Sequence, residues 1–240
     1  MSTRTQVATE ILRDRILRSE YAPGFHLQEA PLSVELGVSR TPVRAALAAL
    51  ASEGLLDYGP NRGYLVRGFS LTDVLTAYEV RANLEGFACR LAAEQGLSDK
   101  DKAEIEAALA IGDAILAKGQ LLNEDRDAWI EMNDRFHVGL IRAADNWLLE
   151  DLVQQTYRVP LASSRVVHWY EYDAIKGSHE LHHRIYRCVR DRRGAQAEPL
   201  MREHIYLAIE QIRDRFENEE LTEVLQSHPQ TSRPRSQTCL

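Results

Sequence analysis

The stretch GVSRTPVRAALAALASEGLL, Gly37 to Leu56, constrains this chain more than any other. Ala45, Ala46, Leu47, Ala49, Leu50 and Leu55 give it the apolar side of a buried helix. Arg40, Thr41 and Arg44 fall on the first turn, away from that side. A helix that spends its apolar side on a core and opens on two arginines among small hydroxyl residues offers that turn to something outside the domain.

The flanking sequence sets the context. Val7, Ile11, Leu12 and Ile16 recur at helical spacing up to the Pro23-Gly24 turn, predicting a first helix over about 5–19. A short second helix over about 30–36 ends at Gly37, a residue suited to the left-handed position after a helix. Ser39 or Thr41 is placed to cap the third helix, and Pro42 fits its first turn, where a missing N–H costs no helical bond. Helix, four-residue turn, helix is the spacing of a helix-turn-helix. LLDYGPNRGYLVRG then reads as two short strands, with Leu56, Tyr58, Tyr64 and Val66 as strand formers around Gly59 to Gly63, which makes a wing.

From Thr72 onward the pattern turns to long helices without strand signals or repeats. Thr72 is read as the cap of a helix ending at Gly96, and Ser98 with Asp101 as the capping pair of one ending at Gly119. Further helices are expected over about 125–144, 147–170 with a break near Pro160, 172–193 and 195–217. The ending SHPQTSRPRSQTCL is polar and proline-bearing, so 218–240 is expected to be disordered. The fold class is therefore mostly α. A winged helix-turn-helix with a small two-stranded wing occupies 1–68, and an antiparallel all-helical bundle of about six helices occupies 72–217.

The net charge of -7 argues against a nucleic-acid binder until it is divided along the chain. Residues 1–70 hold eight Lys/Arg against seven Asp/Glu, and the remainder holds 21 against 29. Screening limits phosphate attraction to about 8 Å at physiological salt, so the local balance decides. From Arg40 to Arg67 it is four arginines against Glu53 and Asp57. Cys89, Cys188 and Cys239 are odd in number and far apart, which indicates neither a disulfide framework nor a thiolate zinc site. Without a run of roughly 18 apolar residues, and with charges where a signal peptide has its apolar core, the expected location is cytoplasmic.

The second helix of a helix-turn-helix enters the major groove N-terminus first. Arg40 and Arg44 are one turn apart and can both face the groove, where a guanidinium matches the two acceptors of guanine. They are assigned to base reading. Ser39, Thr41 and Arg62, with Gly63 beside it at the wing, are assigned to positioning on phosphates or the minor groove. The span LRDRILRSEYAPGFHLQEAPLSVELGVSRTPVRAALAALASEGLLDYGPNRGYLV resembles the winged helix-turn-helix of the GntR superfamily of bacterial regulators, in its PG turn, its LGVSRTPVR core and its EGL-to-RG wing. The resemblance implies a homodimer on a pseudo-palindromic double-stranded DNA operator.

The bundle carries a second pattern. Asn133 and His137 are four apart and share a helix face. His182 and His204 are equidistant from the turn at Arg193-Gly194, so an antiparallel hairpin sets them side by side. Spacing alone leaves two readings: a first-row metal site of three imidazoles and an oxygen donor, or histidines aligned by chance. NDRFHVGLIRAADN, with a histidine 22 residues before that of MREHI, resembles the ligand-binding FCD domain of the FadR-like subfamily over Thr72 to about 217. Many such domains hold a metal through Asp or Asn, a histidine four on and two later histidines, which correspond here to Asn133, His137, His182 and His204. The resemblance implies a divalent transition metal, zinc or nickel foremost, and a small-molecule carboxylate effector. Asn133 is a neutral amide where a carboxylate is common, and hence a weaker ligand.

Arg81 has Glu85 one turn on. The pair reads either as a helix-surface salt bridge or as an arginine facing the cavity to bind an effector carboxylate. His179 and His183 fall outside the ligand set, with His183 solvated or supporting, and Trp129, Phe136, Trp147 and Trp169 are read as core. No HExxH, GxSxG, P-loop or dinucleotide fingerprint is present, which speaks against an enzyme. A regulator that kept the fold and lost effector or metal sensing is the other reading.

Overall fold

The computed structural model describes residues 3–17, 20–59, 62–159, 162 and 171–217. The chain divides into two compact units, the second of which runs from Val74 to Asp214. The first holds α1 (Arg4–Leu17), β1 (His26–Leu27), α2 (Glu29–Glu35), α3 (Arg40–Ser52), β2 (Leu56–Gly59) and β3 (Gly63–Val66). Its core draws Ala8, Leu12 and Ile16 from α1, Leu32 from α2, and Val43, Ala46, Leu47 and Leu50 from α3.

Two registers differ from the expectation. On α1 the buried apolar residues Ala8, Leu12 and Ile16 follow a four-residue step, which leaves Val7 and Ile11 outside the core at 44% and 37% exposure. On α3 the core position is Val43 and Ala45 is exposed. A four-residue step from Val43 through Leu47 and a three-residue step from Leu47 to Leu50 place the larger side chains on one face, so the alanine yields to the valine.

The wing has three strands, not two. β3 pairs antiparallel with β2, with Leu56 opposite Val66 and Tyr58 opposite Tyr64, and pairs on its other edge with β1 through His26–Leu65 and Leu27–Tyr64. A two-residue strand is too short for any periodicity to reveal. It gives β3 a partner on both edges and ties the wing to the segment before α2.

The second unit contains α4 (Leu71–Gln95, which begins just before Val74), α5 (Asp99–Leu116), α6 (Arg126–Ala143), α7 (Trp147–Thr156), α8 (Tyr172–Arg190) and α9 (Gly194–Glu217). The cap of α4 is Ser70, not Thr72: Asp73 N donates to Ser70 Oγ at 3.1 Å and Ser70 N to Asp73 Oδ2 at 2.9 Å. Ser98 and Asp101 form the reciprocal box expected for α5. The helix expected over 147–170 ends at Thr156; Pro160, Trp169 and the ending 218–240 lie outside the described residues. Trp129 and Phe136 are core, but Trp147 is 74% exposed, because it opens α7 on the solvent side while Leu149 and Val153 turn inward. Cys89 and Cys188 are buried free thiols.

Candidate functional sites

In the first unit, Gly37 takes φ +64 in the turn between α2 and α3. Ser39 occupies the N-cap with extended backbone, yet its hydroxyl makes no capping hydrogen bond. Ser39, Arg40, Thr41 and Arg44 are all exposed, and the exposed face of α3 continues through Ala45 and Ala48. Arg44 donates from Nε and Nη2 to Glu29 Oε1 and Oε2 at 2.7 and 2.8 Å. That two-pronged geometry is the one a guanidinium offers guanine. Glu29 was not singled out in the sequence, because it lies 15 positions away on another helix.

At the wing, Arg62 is exposed and its N–H closes the turn onto the Gly59 carbonyl at 3.0 Å. Gly63 has φ +70, and a Cβ there would lie 2.6 Å from His26 Nε2. Only glycine fits both the dihedral and the approach of the ring from β1.

In the second unit, the buried arginine, glutamate and histidine side chains among the described residues come from four helices: Arg81 and Glu85 of α4, His137 of α6, His179 and His182 of α8, and His204 of α9. Buried charge and imidazole concentrate where a domain has a task beyond packing. His204 Nε2 lies 3.2 Å from His137 Nε2 and 3.1 Å from His182 Nε2, so three ring nitrogens converge. Asn133 is buried one turn before His137 on the same face of α6. Phe136 backs the group, its ring 4.2 Å from that of His182.

Of the two readings open for the Arg81–Glu85 pair, the helix-surface one does not hold: Arg81 and Glu85 are 4% and 1% exposed. The Glu85 carboxylate accepts from Arg81 Nε at 2.5 Å, from the Tyr157 hydroxyl at 2.8 Å and from His137 Nδ1 at 2.5 Å. Arg81 also donates from Nη1 to the Ala162 carbonyl at 3.2 Å, and the rings of Tyr78 and Tyr157 lie 5.4 and 5.2 Å from its guanidinium. Burial alone would raise the Glu85 carboxyl, but Arg81 and His137 outweigh it and hold the group ionised. An ionised carboxylate can only accept, so His137 Nδ1 carries the proton. In the neutral ring that leaves the Nε2 lone pair facing the cluster, the arrangement by which a carboxylate orients a metal-binding histidine.

Burial first, then neighbouring positive charge, keeps His182 and His204 well below the ordinary imidazole range, so both are neutral. Their Nδ1 atoms are buried without hydrogen-bond partners among the described residues. Ligands about 2.0–2.1 Å from one tetrahedral ion stand roughly 3.3–3.4 Å apart. The 3.1 and 3.2 Å separations fall just inside that spacing, and neutral imidazoles are the donors a borderline divalent ion takes. The residues present therefore fit such a metal.

The comparisons with known proteins agree with both units. The gntR family of bacterial regulatory proteins matches residues 4–66, and the FCD domain matches residues 76–207, more than half of the chain. The chain belongs to the GntR family, FCD type. It is 29% identical over 192 residues to the "Nta operon transcriptional regulator" of Aminobacter aminovorans, covering 80% of this chain and 86% of that protein. It is also 29% identical over 206 residues to the "HTH-type transcriptional repressor RspR" of Escherichia coli, covering 85% and 86%. Among solved structures, "E. coli McbR/YncC" superposes with a TM-score of 0.74 at 22% identity, over 90% of this chain and all of that one. A GntR regulator from Rhodococcus sp. RHA1 gives 0.63 at 24% identity, over 89% and 99%. The family and these relatives make the chain a transcriptional regulator that acts on DNA, not an enzyme. No described helix is long and apolar enough to cross a membrane.

Proposed function

We propose that the chain is a ligand-responsive regulator that binds a two-fold-related operator as a homodimer and senses a small carboxylate in its helical domain. Arg40 and Arg44 read bases, while Ser39, Thr41, Arg62 and the backbone at Gly63 position the head on phosphates. A divalent transition metal, zinc or nickel, is held by His137, His182 and His204 with Asn133. When bound, the ion supplies open coordination positions for an effector carboxylate. The observation that carries the sensing half is the convergence of three ring nitrogens at 3.1 and 3.2 Å on a carboxylate-oriented histidine.

The chain's own residues explain the preference for an anion. Arg81 keeps a buried positive charge beside the cluster, and its field reaches His204. Its direct partner is Glu85, which the Tyr157 hydroxyl also holds. A ligand carboxylate that takes over part of this pairing changes the packing of α4 against α6, which is the differential contact that allostery requires.

The DNA half is tested by operator affinity against salt. With three or four phosphates neutralised by each head of a dimer, log affinity against log salt should fall with a slope of roughly -5 to -7. A slope near zero would contradict it.

A further inference from the structure

Beside the buried cluster, α5 and α8 bring a second set of donors together. His179 and His183 stand one turn apart on α8, and both direct Nε2 at Asp113 Oδ1 on α5, at 3.0 and 2.8 Å. All three donor atoms lie within 4.8 Å of one another. Two of the three separations are close to the roughly 3.3 Å that separates neighbouring ligands on one tetrahedral ion. The set is two imidazoles and a carboxylate, a combination common to zinc and nickel.

The seat is built for the ring. A Cβ on Gly112 of α5 would fall 2.3 Å from His179 Cε1, so the helix surface is bare exactly where the imidazole lies against it, and the Trp129 ring packs 5.4 Å away. His179 Nδ1 is buried and has no hydrogen-bond partner among the described residues. A cation held by both rings needs the same exchange in each: the Nε2 protons that His179 and His183 direct at Asp113 Oδ1 move to the Nδ1 atoms, and the two freed lone pairs bind the ion. The side chains of His183 and Asp113 are 37% and 56% exposed, so an ion can enter and water can complete its coordination.

We infer that Asp113, His179 and His183 form a second, solvent-accessible site for a divalent transition metal, separate from the buried histidine cluster. It shares no ligand with that cluster, although the His179 and His182 rings stand edge to face with centroids 5.7 Å apart. It exchanges metal more readily than the buried site because water reaches it.

The test is equilibrium dialysis of the full chain against nickel chloride, with bound nickel counted by mass spectrometry. The parent protein is compared with His183→Gln and Asp113→Asn, both at partly exposed positions, and unchanged thermal unfolding without metal confirms that the variants fold. Each variant should bind about one nickel per chain fewer than the parent, and His137→Ala should keep that ion. Nickel should quench Trp129 fluorescence less in His183→Gln than in the parent. Equal nickel in parent and both variants overturns the inference. A parent that binds one nickel, lost in His183→Gln and kept in His137→Ala, upholds it and removes the buried site instead.

Discussion

Two arginine–glutamate pairs show how differently the two units use the same chemistry. Arg44 and Glu29 meet at 2.7 and 2.8 Å on the surface, with 68% of the arginine side chain exposed. Arg81 and Glu85 meet at 2.5 Å in the interior, at 5% and 1% side-chain exposure. In water an ion pair is nearly isoenergetic with its hydrated parts, so Arg44 can trade Glu29 for a base edge or a phosphate at little cost. In the interior neither ion can be released to solvent, so Arg81 and Glu85 hold each other and, through Glu85, His137. The head keeps its arginine exchangeable with solvent; the helical domain keeps its arginine away from solvent, paired with the carboxylate that orients a histidine.

The largest way to break that contrast is Glu85→Gln. It keeps the shape, leaves Arg81 as an uncompensated buried charge and frees His137 to change its proton. Removing one partner of a buried pair costs about 3–5 kcal/mol, so urea unfolding should show a loss of that order. A loss no larger than a surface substitution gives would mean that the pair is not isolated from water.

Arg44→Ala should act on the other side of the comparison. Operator affinity should fall roughly tenfold or more with relaxed base preference, while the thermal midpoint stays put. A drop in stability with unchanged sequence preference would make Arg44 structural. Arg62→Ala should weaken binding to all sequences alike and reduce the salt slope by about 1, as expected for one phosphate contact. The smallest effect belongs to Glu29→Gln. If Glu29 only parks Arg44, affinity should shift by less than Arg44→Ala shifts it, and upward. A fall would show that Glu29 positions Arg44 for the groove.

What was legible in the sequence follows the same divide. The head is contiguous, so Gly37, Ser39, Pro42 and the alternation around Tyr58 and Tyr64 announce its turn, cap and strands locally. Of its three strands, β1 escaped, being two residues that become a strand because β3 offers an edge. The Val43 register was decided by side-chain volume in a core shared with α1, which periodicity within α3 does not encode. In the helical domain, His137, His182 and His204 were visible through helix spacing and the symmetry of the α8–α9 hairpin. The contact of Glu85 with His137 and those of Asp113 with His179 and His183 were not, because the partners lie 52 and 66 or more positions away and meet only once the helices pack. The Arg81–Glu85 spacing suggested a pair but not its burial, to which the ring of Tyr157, the residue that follows α7, contributes by packing over the guanidinium.

Whether the buried histidine cluster holds an ion is tested most directly by the metal content of the purified full chain. Dialysis against a weak chelator first removes any loosely held surface ion, and His137→Ala is carried alongside. About one transition metal per chain in the parent and almost none in His137→Ala is the predicted result. A folded parent free of metal, with His137→Ala indistinguishable from it, would contradict the sensing site and leave a DNA-binding regulator whose buried histidines serve packing alone.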